Sequence, residues 1–370
     1  MQNLHVAFVG CGGIADHYLQ VYRDLEWVEM TVCMDVNPDR ARHAVAQLGE
    51  NTQARATTNF ADVLGDDVDV VVINSPNHLH REQAVAALAA NKHVLLQKPL
   101  AATLADAGII QEAAAQAKLR GIISGLYMSY FEQPLMHDLK AKYEAGYFGD
   151  IAHLYARLMH RGGLKLSQEI LSGQPNWRGS VAQTGGGAFI QLAVHYVHLF
   201  GWLMNSKVVR VMAMMKNQYC PGIEGEDIAC AILEFGNGAL ATLDMAWNTA
   251  GEQLSIHGTL GTAEYIGNKT LLLNSIAVAS DDYKNTFSAP SQLHQTAAPG
   301  TAATQEVSEV IAPALGDVTN PFNQHLMFLE AVRDGREPFV SIASGAEDLR
   351  VVQAVYESAR TLRAIEIGRG

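Results

Sequence analysis

The sequence predicts a parallel, doubly wound α/β domain followed by an α+β domain with a largely antiparallel, open sheet. Three observations carry that expectation. Short apolar, β-branched runs alternate with helical patterns over the first third of the chain. A glycine-rich turn joins the first such run to the first helix. Beyond residue 123 several strands follow one another with few helices between them. A length of 370 residues agrees with two domains, 1–122 and 123–370, because single cores stop growing at roughly 250–300 residues.

The elements of the first part follow in order. Leu4–Val9 reads as a strand, and a helical pattern runs through Leu25. Glu29–Met34 is a second strand, ending at Asp35, and Asp39–Gly49 a second helix. Val68–Ile73 is a β-branched strand closed by Asn74-Ser75-Pro76-Asn77. Arg81–Ala90 is an alanine-rich helix, His93–Leu96 a strand, Thr103–Lys118 a helix and Gly121–Leu126 a strand.

In the second part, Gln133–Ala145 reads as a helix and Ile151–Leu158 as a strand. Gly185-Gly186-Gly187 opens a long apolar helix, Ala188–Leu203. Strands are expected at Val208–Met215, Asp227–Phe235, Ala239–Trp247 and Gln253–His257, with a hairpin turn at Gly236-Asn237-Gly238. The segment 277–317 is rich in Ser, Ala, Thr and Pro and reads as a long surface insertion. Helices at Asn320–Asp334 and Ile342–Ile365 close the chain.

Composition narrows the function classes. A hydrophobic content of 48% supports a folded core, and a net charge of −12 repels phosphate backbones, so nucleic acid is not an expected partner. Cys11, Cys33, Cys220 and Cys230 form no CxxC pair, and Cys11 and Cys33 read as small apolar fillers. The first strand begins too early for a signal peptide, and no run of about 18 apolar residues stands out. The expectation is a cytoplasmic, reduced-thiol protein with no membrane partner.

The turn Gly10-Cys11-Gly12-Gly13-Ile14-Ala15 follows a strand and opens a helix, the context that a dinucleotide fingerprint requires. Gly10 permits the tight turn, Gly12 lets the backbone approach a pyrophosphate, and Ala15 allows close helix–strand packing. The helix start offers free N–H groups and partial positive charge to phosphates. Asp35 lies at the end of the second strand, where a carboxylate accepts the ribose hydroxyls and repels a 2′-phosphate. Val36-Asn37-Pro38 follows it, with no cation directly after, so NAD is expected over NADP. These features together predict an N-terminal Rossmann dinucleotide-binding domain.

The chain resembles the glucose–fructose oxidoreductase / inositol 2-dehydrogenase (Gfo/Idh/MocA) family. The residues that carry the resemblance are the fingerprint, Ser75-Pro76-Asn77-His78-Leu79-His80, Asn91-Lys92-His93-Val94-Leu95-Leu96-Gln97-Lys98-Pro99-Leu100, Gly146-Tyr147-Phe148-Gly149-Asp150-Ile151, and Gly185-Gly186-Gly187-Ala188 with its helix. The resemblance implies an NAD-dependent oxidoreductase acting on a secondary alcohol of a sugar, sugar derivative or cyclitol, and a homodimer or homotetramer. It implies that the loop of Ser75, Pro76, Asn77 and His80, together with Gln97 and Lys98, contacts the cofactor. It implies that Lys98 reaches the reacting hydroxyl and that His195 is the acid/base. A histidine titrates in the useful range, and a lysine beside the oxygen steadies developing negative charge.

This sequence departs from the family pattern in three places. Gln97 replaces the glutamate before the lysine. Gln191 stands where an aspartate is frequent four residues before the histidine, and His198 where a further aspartate is common. Gln191, His195 and His198 share a helix face by their spacing. A glutamine hydrogen-bonds a hydroxyl but takes no proton near neutral pH, so Gln191 is expected at the catalytic site as a substrate-binding residue. Asn77 and His78 are further candidates beside the nicotinamide ribose or substrate. Trp177 and Arg178 are candidates for a pocket wall and a polar clamp, and Tyr127, His160 and Arg161 for the cleft. Alternative readings are a glycosidase that retains NAD and a non-catalytic dinucleotide- or sugar-sensing regulator. His195/His198 and His78/His80 bring no clear third ligand, so no metal is expected.

Overall fold

The computed structural model describes residues 3–50, 52–267, 269–275, 304–314 and 316–368. The first domain is a six-stranded parallel sheet in the order β3-β2-β1-β4-β5-β6. Its strands are β1 (Leu4–Val9), β2 (Val28–Met34), β3 (Arg55–Thr57), β4 (Val70–Ile73), β5 (His93–Gln97) and β6 (Ser124–Tyr127). Helices α1 (Gly13–Asp24), α2 (Pro38–Gln47), α3 (His80–Ala89) and α4 (Leu104–Lys118) connect them. The central strands β1 and β4 are apolar but for His5 and largely buried, as a sheet covered on both faces demands. Side chains fix several helix starts: Asn37 accepts from the Asp39 N–H, and Thr103 from the Asp106 N–H. Because β6 is hydrogen-bonded to β5, the parallel sheet extends past the boundary expected at residue 122.

The second domain is a nine-stranded sheet in the order β14-β13-β12-β11-β7-β10-β9-β8-β15. It comprises β7 (Ile151–Met159), β8 (Val208–Lys216), β9 (Ile228–Phe235), β10 (Leu240–Ala246), β11 (Gly251–Gly258), β12 (Gly261–Ile266), β13 (Thr270–Ser275), β14 (Thr304–Glu309) and β15 (Ile365–Glu366). Every neighbouring pair is antiparallel except β7 and β10. The hairpin expected at Gly236-Asn237-Gly238 joins β9 to β10. Helices α5 (Pro134–Glu144), α6 (Gly162–Leu171), α7 (Val181–Thr184), α8 (Ala188–Met204), α9 (Gln324–Asp334) and α10 (Ile342–Thr361) complete the fold.

The sequence did not suggest α6, β12 or β13. Of the expected insertion at 277–317, the part from 304 contributes the edge strand β14, and the rest up to residue 303 lies outside the described residues. Helix α9 starts later than expected because Asn323 caps it, accepting from the N–H groups of His325 and Leu326. Helix α10 ends at Thr361, before the expected Ile365, which instead pairs with β8.

One sheet face packs on α8 and α10; the other is open and carries Met212, Met214 and Ile232, all about half exposed or more. Helix α8 is apolar on nearly all sides because it is core. The stretch Val181–Met204 holds an 18-residue window that matches a membrane span by length and hydropathy only, and 83% of that window is buried inside the fold, as in a core helix. After the second sheet the chain returns to the first domain. Phe328, Leu329 and Val332 of α9 pack into the core under α1.

Candidate active site

The glycine turn is built for close approach. Gly10 has φ +88°, and a Cβ there would lie 2.8 Å from the Asn74 carbonyl carbon and 2.9 Å from the Ser75 nitrogen. Its N–H donates to the Met34 carbonyl, which holds the turn against β2. At Gly12 and Gly13, by contrast, a Cβ would meet nothing within 4 Å. Gly12 begins α1 with no side-chain cap, so the first amides of that helix face open space. Ala15 is fully buried against the sheet, and Ile14 is half-buried.

Asp35 is buried at the tip of β2. One carboxylate oxygen accepts from the Cys11 N–H at 2.9 Å and the other from the Asn37 N–H at 2.8 Å. These bonds aim the carboxylate at the glycine turn and leave it lone pairs for two hydroxyls. Val36 beside it is 80% exposed, an apolar surface where an adenine ring has room. An uncapped helix start, an oriented carboxylate and space where Cβ atoms would sit all fit a dinucleotide.

The third-strand loop holds two corrections. His80 does not face the cofactor cleft. It is fully buried, its Nδ1 lies 3.0 Å from the Pro99 carbonyl and its Nε2 3.0 Å from the Ser75 carbonyl. Burial pushes its pKa down to about 4, so it is a neutral strut between two loops. Asn77 is also committed, since its Nδ2 donates to the Thr184 carbonyl across the domain boundary. Ser75 donates its hydroxyl to Gln83. His78 is exposed and Pro76 half-buried.

At the end of β5, the Gln97 Oε1 accepts from the Lys98 N–H at 3.0 Å, so the glutamine braces backbone and not ammonium. The Lys98 Nζ donates to the main-chain carbonyl of Gln191 at 2.9 Å. Burial, then Arg178, brings the Lys98 pKa down to about 8. Two buried polar atoms of residues that Lys98 reaches, the Gln191 Nε2 and the His195 Nδ1, have no hydrogen-bond partner among the described residues. Gln191 and His195 are 9% and 6% exposed. Burial, then Lys98 and His198, holds the His195 pKa well below its ordinary value. The imidazole is therefore neutral.

His198 leaves the group that its spacing suggested. Its Nδ1 pairs with an Asp348 oxygen at 2.6 Å, on α10. Tyr127 needs a correction too. It is buried, with its hydroxyl accepting from Tyr18 at 2.7 Å and its ring 5.0 Å from that of His325. That aromatic cluster ties α1 to α9 and shuts Tyr127 away from the cleft.

His160 is exposed and within electrostatic reach of Lys98. Crowding by its neighbours, then Lys98, lowers its pKa, while its ring nitrogen accepts from the Gly162 N–H. Arg161 is exposed at the start of α6. The Arg178 guanidinium stacks over Trp177 at 4.6 Å. It lies within electrostatic reach of both Lys98 and Arg40, and among the described residues it has no carboxylate partner. Arg178 is thus flanked by Lys98 and Arg40 in a chain of net charge −12, an arrangement that suits an anion.

Sequence reasoning passed over Tyr130. Its ring centroid is 5.1 Å from that of His195, and its hydroxyl shares a 2.7 Å hydrogen bond with Tyr196 and donates to Glu252. It sits on a one-turn helix, where no periodic pattern marks it.

Comparison with known proteins agrees with this geometry. Residues 4–124 match the model of an oxidoreductase family with an NAD-binding Rossmann fold, and residues 136–264 match the GFO/IDH/MocA C-terminal domain. The chain is 26% identical to a levoglucosan dehydrogenase from Pseudarthrobacter phenanthrenivorans, with 97% of each chain covered. It is 29% identical to a 1,5-anhydro-D-fructose reductase from Ensifer adhaerens over 60% of this chain and 64% of that one. A levoglucosan dehydrogenase structure in complex with NADH superposes over the full length of both chains, with a TM-score of 0.81 at 21% identity, a likeness of fold.

Proposed function

The chain belongs to the Gfo/Idh/MocA oxidoreductase family, and from that premise we propose that it moves hydride between NAD and a secondary alcohol of a sugar, sugar derivative or cyclitol. The observation that carries this is that Lys98 reaches Gln191 and His195, each with a buried, unpartnered polar atom. A water or a ligand can fill such unpartnered buried groups, each of which costs about 1–3 kcal/mol when left unpaired. A relative that spans nearly the whole chain is a levoglucosan dehydrogenase, which favours a sugar.

When bound, the nicotinamide supplies the hydride acceptor. The amides of Gly12, Gly13 and Ile14 would hold the diphosphate, with Arg178 of the second domain a further cation for it. Asp35 accepts the ribose hydroxyls and disfavours a 2′-phosphate. Lys98 donates to the reacting oxygen and steadies its negative charge. Lys98 and His195 share the proton: the alcohol's proton passes to the neutral imidazole, or to the Lys98 amine once that amine has lost its own proton. Gln191 donates its amide hydrogen to a neighbouring hydroxyl. Trp177 and His160 wall the cleft.

The direct experiment is a panel of sugars, sugar acids and cyclitols with NAD or NADP, followed by the absorbance of the reduced nicotinamide. No reduction with any member would count against the reading. Asp35→Ala should weaken NADH binding by about 10- to 100-fold, the worth of a charge-assisted hydrogen-bond pair, and narrow the preference over NADPH. Fluorescence titration of both cofactors measures it, and an unchanged preference would remove Asp35 from the selectivity argument.

The protein forms a homo-oligomer through the open sheet face. The ion pairs on that face, Arg157–Asp244 and Arg210–Glu234, are worth at most about 1 kcal/mol each. They do not offset burial of Met212, Met214 and Ile232. Ile232→Glu should shift the sedimentation coefficient to that of a monomer; an unaltered oligomer would place the interface elsewhere.

A further inference from the structure

The start of α8 is capped entirely by residues distant in sequence. Gly187 precedes the helix and has no side chain to cap it. Four amides at a helix start lack intrahelical partners, and here each finds one. The Gly187 N–H donates to Glu226 Oε2 at 3.0 Å, and the Phe189 N–H to Glu226 Oε1 at 2.7 Å. The Ala188 N–H donates to the Glu226 main-chain carbonyl at 2.8 Å. The Ile190 N–H donates to the Tyr356 hydroxyl at 3.2 Å, and that hydroxyl donates to Glu226 Oε1 at 2.9 Å.

The glycine run makes room for this. A Cβ on Gly187 would lie 2.1 Å from the Glu226 carbonyl oxygen, and one on Gly186 would lie 2.0 Å from the Tyr356 hydroxyl. One on Gly185 would lie 2.3 Å from the carbonyl oxygen of Ala102, in the segment that follows Lys98. The capped turn leads directly to Gln191, whose carbonyl receives the Lys98 Nζ. His195 stands one turn further on.

We infer that Glu226 and Tyr356 are positioning residues: by filling the amides of the first turn of α8 they fix the Gln191 carbonyl, and through it Lys98, relative to His195. The negative carboxylate also meets the positive end of the helix dipole. A helix start that is already occupied by the chain's own carboxylate offers no site to a phosphate, in contrast to α1. The inference rests on the reading of Lys98 and His195 as the proton-handling pair.

Glu226→Gln turns one acceptor oxygen into a donor facing backbone N–H groups, and Tyr356→Phe removes the hydroxyl. Neither residue touches Lys98, so a purely structural role would leave the Lys98 titration alone. The test follows the Lys98 side chain by NMR in lysine-ε-13C-labelled full-length protein, with Lys98→Met identifying its signal and no substrate needed. Loosening the first turn replaces the carbonyl with water and relieves desolvation. The Lys98 midpoint, about 8 in the parent, should rise by roughly half a unit or more in both variants. Turnover of any sugar accepted from the panel should fall about 10-fold in kcat, with the KM for NAD unchanged.

Folded variants with an unmoved Lys98 midpoint would overturn the cap's role. If Glu226→Gln does not fold, Tyr356→Phe decides by the same readout. Failure of the sugar panel alone would overturn the proposed substrate class and leave the NMR result to judge the cap.

Discussion

Replacing Lys98 with methionine should lower kcat/KM by about 10²- to 10⁴-fold while NADH still binds within a few-fold of the parent. The range is that of losing a positioned proton-transfer or charge-stabilising group. Methionine keeps length and apolar bulk, so the pocket stays filled and the loss reports the amine. The pH dependence has a defined sign. Lys98 is held near 8, below its ordinary value, by burial and then by Arg178. Below pH 8 it is charged and can only donate. Above pH 8 it is increasingly neutral and can also accept a proton from the alcohol. Oxidation should therefore rise as pH passes 8, and the reverse reduction should fall. Lys98→Met should lose that inflection. A variant with full turnover, or with the parental pH profile, would remove Lys98 from the chemistry.

Gly10→Ala and Gly12→Ala should both abolish detectable NADH binding, but for separable reasons. At Gly10 the added methyl meets backbone atoms of Asn74 and Ser75, which cannot swing away, and φ is +88°. Strain of this kind costs about 1–3 kcal/mol before the clash is counted. Binding and thermal stability should fall together. At Gly12 the methyl meets nothing of the protein, so stability should hold while the methyl occupies the cradle. Fluorescence titration with NADH beside a thermal melt distinguishes the two. If Gly12→Ala bound NADH as the parent does, the cradle would lie elsewhere.

The first domain was legible because its signals are local. The runs Leu4–Val9 and Val70–Ile73 are continuous and apolar, and the glycine turn to Asp35 spans only about 25 residues. The shared face of Gln191 and His195 was legible for the same reason, since one helical turn sets their relation, whereas their place at the site was implied by the family resemblance. What escaped depends on partners far along the chain. The Glu226 cap reaches back 37 residues and the Tyr356 cap 166. No periodicity encodes such distances. Histidines and tyrosines misled for a related reason: their identity does not say whether a buried partner exists. His80 finds two carbonyls, His198 finds Asp348, and Tyr127 finds Tyr18. The Gly185–Gly187 run was visible as a motif, yet its cause, the Tyr356 side chain and the backbone at Ala102 and at Gly225–Glu226 pressing in, appears only in three dimensions.

Lys98 is moored to the main-chain carbonyl of Gln191 and not to its side chain. Every residue except proline places that carbonyl similarly in a helix. Position 191 can therefore exchange one side chain for another without unhooking the lysine. Divergence at this position is free to retune which hydroxyl pattern is accepted while the reacting amine stays where it is. The same freedom makes residue 191 a natural first site for laboratory redesign of substrate range.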